Sequence, residues 1–307
     1  MAILEVENLS ISFEQYGSGL KRRVIDVMSN LSIELEAGEI LAIVGSSGSG
    51  KSLLAHAILG ILPENAKTSG AMYYDGKQLT DEALATLRGG EIALIPQSVN
   101  FLDPLMQVGK QVQQSSRSGD AVQKQRAVFE RYHLGREVEK MYPFQLSGGM
   151  ARRTLLSTAA VSNAKVIIAD EPTPGLDEVV IREALQNFRE LADENRAVML
   201  ITHDIGAALT IADKIAVFYA GTVVEVAPVG DFTGSGETLR HPYTKALWRA
   251  LPQNDFIPIP GAQPHLNDLP PGCLFAPRCP LVTDACRAER PPIRELREGK
   301  VRCIHAT

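Results

Sequence analysis

One stretch of the sequence is rich in glycine and serine and ends in Lys-Ser. Residues 45–52 read GSSGSGKS, between an apolar run typical of a buried strand (40–44) and a helical pattern (52–59). Glycines let backbone N–H groups turn towards phosphate oxygens, the helix start adds positive potential, Lys51 would neutralise outer phosphates and the Ser52 hydroxyl would ligate Mg²⁺. The flanking elements favour nucleotide binding over a flexible glycine-serine turn. The predicted phosphate-binding residues are Gly45, Ser46, Ser47, Gly48, Ser49, Gly50, Lys51 and Ser52.

Two adjacent carboxylates follow a second apolar run. Residues 166–169 read VIIA, and Asp170 and Glu171 come next, at the carboxyl end of the predicted strand, where open α/β sheets bind ligands. Asp170 suits a magnesium ligand, and Glu171 would orient or deprotonate an attacking water in phosphoryl transfer. The pair alone would be an ordinary strand-end cap, and the glycine-rich loop upstream favours the chemical role.

Two further places have polar groups suited to phosphate. Ser147, Gly148 and Gly149 precede a predicted helix, so a hydroxyl and two amides would lie at its positive end. Alone, this string would be a helix cap. His203 follows the apolar run 198–202, and its ring would hydrogen-bond a γ-phosphate there, although a single histidine after a strand is more often structural.

Length and composition limit the class of protein. The chain has 307 residues, 45% hydrophobic and 22% charged, which predicts a folded chain of about two domains. Its net charge of −5 does not favour nucleic acid as a partner. No apolar stretch approaches the roughly 18 residues of a membrane-spanning helix, and the first ten residues do not resemble a signal peptide.

The pattern of elements predicts an α/β fold. Residues 3–13 and 31–35 indicate a small antiparallel sheet, and a polar, helix-leaning stretch between Gln97 and Ser147 indicates a helical insertion. Two runs after Lys214 resemble a hairpin, and a second module begins at Asp231. The predicted buried parallel strands are residues 40–44, 92–95, 166–169 and 198–202, with helices over 52–59, 151–160 and 181–191.

The order of these motifs resembles that of ATP-binding-cassette (ABC) ATPases. In that family's terms, Leu146–Met150 is similar to the signature motif, which contacts the ATP of a facing subunit through Ser147, Gly148 and Gly149. The resemblance implies that Gln97 senses magnesium and couples to a membrane partner and that His203 is the switch histidine. It implies that Leu176 and Asp177 cross the dimer interface. Departures are Met150, where many members have Gln, and Pro174, which removes an amide beside the interface loop.

The same resemblance implies an aromatic side chain that stacks on adenine. Phe13 matches that position, Tyr16 is close enough to compete, and either would otherwise be plain sheet packing.

The C-terminal part resembles the extension of oligopeptide, dipeptide and nickel importer ATPases. It contains HPYT from His241 and the string GCLFAPRCP from Gly272. All the cysteines lie within this part of the chain, and this clustering favours a metal site over disulfides. Their spacing fits neither paired zinc knuckles nor a ferredoxin run, so it does not identify the metal. Buried inert thiols stay an alternative. Some relatives hold a four-iron, four-sulfur cluster here, which the resemblance carries over to Cys273, Cys279, Cys286 and Cys303.

Together these features predict a P-loop NTPase fold of the ABC type with an antiparallel β subdomain, a helical insertion and a small cysteine-containing extension. The expected division is an ATPase domain over 1–230, with a helical subdomain at about 98–160, and an extension over 231–307. The expected function is hydrolysis of Mg²⁺-bound ATP to power an importer for peptides or nickel-type solutes. The expected partners are a second ATPase, identical or related, two membrane permease subunits and, indirectly, an external solute-binding protein, which places the chain peripherally on the cytoplasmic face of the membrane. The alternative is a non-transport ABC protein, such as a phosphonate-degradation accessory ATPase or a redox-sensing regulator.

Overall fold

The computed structural model describes residues 2–16, 22–46, 48–116 and 119–307. The strands are β1 (Ala2–Tyr16), β2 (Arg22–Glu36), β3 (Ile40–Gly45), β4 (Ala66–Tyr74), β5 (Lys77–Gln78), β6 (Ile92–Ile95), β7 (Val166–Asp170), β8 (Ala197–Thr202), β9 (Lys214–Tyr219), β10 (Thr222–Pro228), β11 (Arg294–Leu296) and β12 (Gly299–Val301). The α-helices are α1 (Lys51–Ile58), α2 (Asp81–Leu87), α3 (Val108–Ser115), α4 (Ala121–Arg131), α5 (Gly148–Val161), α6 (Glu178–Asp193), α7 (Ile205–Ile211), α8 (Pro242–Arg249) and α9 (Asp284–Ala288).

The main sheet has the strand order β11-β12-β10-β9-β3-β8-β7-β6. Its five strands from β9 to β6 are parallel, which confirms the predicted parallel core, and β10, β12 and β11 continue the sheet in antiparallel pairs. Because parallel strands end at the same edge, the segments that follow β3, β6, β7 and β8 lie along one crevice.

Both faces of the main sheet are buried, which explains the continuous apolar runs of its strands. In β3, Ile40, Ala42 and Val44 face a cluster with helices α3 to α8, while Leu41 and Ile43 face a second cluster with α1 and the smaller sheet. Because the side chains of β3 pack into a core on each face, the strand is rigid and fixes the start of the loop that follows it.

The smaller sheet is antiparallel, in the order β2-β1-β4-β5, which confirms the predicted opening sheet. Its strands β1 and β2 are longer than the predicted runs, because register shifts within the pair break the alternation that a sequence pattern detects.

The polar stretch after β6 forms α3, α4 and short 3₁₀ turns, as predicted for a helical insertion. Its apolar residues Val112 and Phe129 join the first core cluster. In the part of the chain that the structure describes, no helix is both long enough and apolar enough to cross a bilayer.

Candidate nucleotide site

The loop between β3 and α1 folds around the side chain of Lys51. The Lys51 Nζ donates hydrogen bonds to the carbonyls of Gly45 (2.8 Å) and Ser46 (3.0 Å). At Gly45 a Cβ would lie 2.4 Å from the Phe218 carbonyl oxygen of β9, so only glycine fits there. Gly50, directly before the helix, has a φ of 101° in the left-handed region that favours glycine. The predicted loop is thus a tight turn about one ammonium group, and Ser47 lies outside the described residues.

Lys51 is buried, with 6% of its surface exposed. Burial lowers the pKa of Lys51, and the nearby carboxylates of Glu171 and Asp170 oppose that shift. A cation held in a buried place beside the loop amides is the arrangement that neutralises phosphate charge.

Asp170 ends β7 and lies against the start of α1. The Ser52 hydroxyl donates to Asp170 Oδ1 at 3.1 Å, and the Asp170 side chain is buried. Burial raises the pKa of Asp170, while the hydrogen bond from Ser52 opposes the shift. A hydroxyl and a carboxylate oxygen side by side are hard oxygen donors that fit Mg²⁺.

Glu171 is turned by an unusual backbone conformation. Its φ is 47°, in the left-handed region, and its N–H donates to the Ile201 carbonyl of β8 at 2.8 Å. Its Oε2 lies 2.8 Å from Nδ1 of His203, which follows β8. A non-glycine residue held in this region costs free energy, and such strain is concentrated at functional sites. The structure therefore brings the predicted base and the predicted switch histidine into direct contact.

A cavity of about 330 Å³, the nucleotide cavity, lies at this edge of the main sheet. It brings together the glycine-rich loop, Gln97 after β6 and Glu171 after β7, because parallel strands end at the same edge of the sheet. The described residues that line it are Val27, Gly48, Gly50, Lys51, Ser52, Leu53, Gln97 and Glu171.

Ser147 and the two glycines after it do not line the nucleotide cavity of their own chain. The Ser147 Oγ accepts a hydrogen bond from the Met150 amide at 3.3 Å, so Ser147 caps α5. Ser147 and Gly148 are exposed, and a Cβ at Gly148 or Gly149 would meet nothing within 4 Å. The predicted second phosphate contact is thus an open helix start on the surface of the chain.

Phe13, the residue predicted to stack on adenine, lies in β1. Phe13 is half-buried, pairs with Ile25 of β2 and Ala66 of β4, and packs against the second core cluster. The side chain of Tyr16, the competing candidate, lies outside the described residues. Stacking by Phe13 stays a prediction.

The predicted interface loop leads into α6. Leu176 packs against the first core cluster, and Asp177 Oδ1 accepts from the amides of Val179 and Val180, both at 3.1 Å. Asp177 therefore caps α6, and a role across a dimer interface stays a prediction.

Sequence reasoning missed Arg152 on α5. Its buried guanidinium donates to the Pro96 carbonyl at 3.1 Å, directly before Gln97. Burial lowers the pKa of Arg152, and the carboxylates of Asp170 and Glu171 oppose the shift. An arginine among helical residues carries no sequence signal for such a contact, because the contact depends on how α5 packs against β6.

The four cysteines line one small cavity, the thiol cavity, together with His241 and His305. All four are free thiols. Burial raises the pKa of Cys273, Cys279 and Cys303, and neighbouring thiolates add to the rise. The cavity measures about 10 Å³, room for about one water. Within the described ranges no three His, Cys, Asp or Glu side chains are arranged to hold a metal ion, so the geometry gives no support to the expected iron–sulfur cluster.

Comparisons with known proteins agree with this architecture. A family model described as "ABC transporter" matches residues 28–174, and one described as "Oligopeptide/dipeptide transporter, C-terminal region" matches residues 224–286. The dipeptide transport ATP-binding protein DppD of Escherichia coli (strain K12) is 36% identical over 324 residues, covering 99% of this chain and 97% of that protein. The oligopeptide transport ATP-binding protein AppD of Bacillus subtilis (strain 168) is 34% identical, covering 98% and 96%.

Solved structures share the fold of the cassette. A dimeric, post-hydrolysis structure of the ATP-binding cassette MJ0796, bound to ADP and Pi, has a TM-score of 0.65 and 25% identity, covering 74% of this chain and 98% of that chain. The parallel sheet, the loop around Lys51 and the carboxylates at the sheet edge define a P-loop ATPase of the cassette type. The chain belongs to the ABC transporter family, among the ATP-binding proteins of oligopeptide and dipeptide importers.

Proposed function

We propose that this chain binds and hydrolyses ATP to power an ABC importer for peptides or nickel-type solutes through separate permease subunits. The observation that carries the proposal is the meeting of Lys51, Gln97 and Glu171 in one cavity, beside the Ser52–Asp170 hydrogen bond. Similarity over nearly the whole chain to DppD and AppD, including the C-terminal region, favours import over a non-transport ABC protein.

In the proposed mechanism the loop amides and Lys51 bind the phosphates of ATP. Ser52, Asp170 and Gln97 would hold Mg²⁺, which neutralises phosphate charge and orients the phosphoryl group. Glu171 accepts a proton from the water that attacks the γ-phosphorus, and the bond to ADP breaks without a covalent intermediate.

The proposed role of His203 follows from its contact with Glu171. The 2.8 Å contact fixes the rotamer of the carboxylate, and 57% of the His203 side chain is exposed. An exposed ring nitrogen is free to meet a γ-phosphate while the other nitrogen stays on Glu171.

The proposed assembly places a second ATPase, identical or related, against the open start of α5. Exposure of Ser147 and Gly148 supports this, because both amide and hydroxyl groups are accessible to the ATP of a facing subunit. The proposal also includes contact with two permease subunits, a peripheral position on the cytoplasmic face of the membrane, and an indirect link to an external solute-binding protein. Co-purification of the tagged chain with permease subunits from membranes tests the assembly, and its recovery with a non-transport complex would overturn it.

Replacement of the proposed base tests the chemistry. Glu171→Gln keeps the size and a hydrogen-bonding oxygen but removes the basic group, so we expect unchanged ATP affinity and a loss of kcat of about 10²- to 10⁴-fold. ATP affinity is measured by equilibrium binding and turnover by phosphate release. Glu178→Gln, in the first turn of α6, is the matched control and should hydrolyse ATP normally. Turnover of Glu171→Gln equal to that of the parent would contradict the assignment.

Two predictions concern the C-terminal part. We propose the division into an ATPase domain (1–230, with its helical subdomain at about 98–160) and an extension (231–307), and the extension supplies β11 and β12 to the main sheet. A four-iron, four-sulfur cluster at the four cysteines stays a prediction that the present geometry does not support, and the proposed hydrolysis needs none. Iron and sulfide analysis of protein purified without air tests it.

A further inference from the structure

A segment of the extension touches the glycine-rich loop of the nucleotide site. Residues 252–271, the connector, join α8 to the first cysteine, and Gln263 lies in their middle. The Ser46 hydroxyl donates to Gln263 Oε1 at 2.8 Å, a contact between side chains 217 residues apart in sequence. Ser46 is thereby held on two sides, because its carbonyl accepts from Lys51 Nζ.

The chain that leads to Gln263 is fixed by Arg278. The guanidinium of Arg278 donates to the Pro260 carbonyl (2.8 Å) and the Ile259 carbonyl (3.2 Å), and to the hydroxyl of Tyr219 (3.3 Å). Tyr219 is fully buried at the end of β9, the strand whose backbone closes against Gly45. Three residues before Gln263, the connector is therefore tied to the strand that backs the loop.

The chain that follows Gln263 is also anchored. Residues 266–268 form a short turn in contact with β2, and Leu269 packs against the first core cluster. Strand β2 carries Val27, which lines the nucleotide cavity. Gln263 is half-buried between two fixed points and is not at the tip of a free loop.

We propose that Gln263 is a positioning residue for the glycine-rich loop, and that the extension thereby contributes to ATP affinity. A loop of glycines and serines loses much conformational freedom when it closes on phosphates, and a hydrogen bond from an anchored segment reduces that loss before binding. Gln263 does not touch the reacting atoms, so it acts on ATP affinity and leaves the rate of hydrolysis unchanged. The inference rests on the proposed binding of phosphates at Lys51.

The test is a double-mutant cycle on Gln263 and Ser46. Gln263→Ala and Ser46→Ala are each expected to raise the Kd for ATP by roughly threefold to tenfold, the range of a net side-chain hydrogen bond. The double variant should be no worse than either single variant, because both remove the same contact. The saturating kcat of Gln263→Ala should stay within twofold of the parent, because Gln263 lies outside the glycine-rich loop. Asn267→Ala, an exposed residue of the same connector, is the control and should leave Kd unchanged.

A second variant separates positioning from simple loss of packing. Gln263→Glu keeps an accepting oxygen for Ser46 but adds a negative charge beside the phosphates, so its Kd should rise at low salt and recover as salt screens the charge. The Kd of Gln263→Ala should not depend on salt in this way.

Several results would overturn the proposal. An unchanged or lower Kd in Gln263→Ala, additive effects of the two alanine substitutions, or a fall in kcat alone each contradict it. Lys51→Ala distinguishes this failure from failure of the proposed function: if Lys51→Ala abolishes ATP binding while Gln263→Ala has no effect, only the role of Gln263 is wrong. If Lys51→Ala binds ATP normally, the proposed nucleotide site itself is wrong.

Discussion

The buried histidine at the start of α8 predicts a specific loss of stability in acid. His241 is 1% exposed, its ring Nδ1 accepts from the Tyr243 amide at 3.0 Å, and its backbone N–H donates to Glu225 Oε2 at 2.8 Å. Burial lowers the pKa of His241 from 6.5 to about 3. The imidazole is therefore neutral in the folded protein at pH 5 and above.

The size of the effect follows from the difference between the two pKa values. Below pH 6.5 the unfolded chain protonates His241 while the folded chain does not, so stability is fully present above pH 6.5 and falls as the pH approaches 3. Each pH unit costs about 1.4 kcal/mol, which gives a loss of about 2 kcal/mol at pH 5 relative to pH 7.5.

The perturbation is His241→Asn, which does not titrate and keeps a good N-cap side chain. The free energy of unfolding is measured by urea denaturation at pH 7.5 and pH 5.0, without nucleotide. We expect the variant to lose about 2 kcal/mol less than the parent between the two pH values. His265→Asn is the matched control, because His265 also caps a short turn through Nδ1 but is exposed. If His241→Asn and the parent lose the same free energy, burial of a neutral imidazole is not the cause.

Two other predictions concern capping and buried charge. Glu225 and Arg240 form an almost fully buried ion pair. Glu225→Leu should lower the free energy of unfolding by about 3 kcal/mol, the low end of the usual range, because Asp231 still faces Arg240. Glu34→Gln removes an exposed ion pair and should cost under about 1 kcal/mol in the same urea titration. Asp177→Ala should cost about 1 kcal/mol because it removes the cap of two amides of α6. Equal costs at Glu225 and Glu34, or no cost at Asp177, would contradict these arguments.

The parallel core could be predicted because burial on both faces leaves a strong pattern. The runs at residues 92–95 and 198–202 became β6 and β8 with almost the predicted bounds. β4 could not be predicted, because most of its residues are exposed or half-buried and its first five include Lys67 and Gly70. β11 and β12 have three residues each, and pairing with β10 depends on contacts far along the chain.

In the nucleotide site, too, positions set by local sequence patterns could be predicted, and contacts between distant segments could not. Placement of Lys51 and Glu171 at one sheet edge was predictable, because the loop before Lys51 and the Asp170–Glu171 pair each follow a predicted buried parallel strand. Gln97 was expected there only from the resemblance to ABC ATPases. The Glu171–His203 contact follows from strands β7 and β8 being neighbours. Contacts of Arg152 with Pro96 and of Gln263 with Ser46 were not predictable, since they depend on the packing of a helix and of an irregular, proline-rich segment.

The place of β12 in the sheet has a consequence for shortening the chain. Strand β10 pairs with β12 through Glu225 and Val226, so its outer side is covered by residues from the end of the sequence. A chain cut after residue 230 would bare amide and carbonyl groups along β10, which attract foreign strands. It would also leave the Glu225 carboxylate without the Arg240 and His241 amides that satisfy it. An ATPase fragment that ends at residue 230 would therefore be prone to aggregation and precipitation.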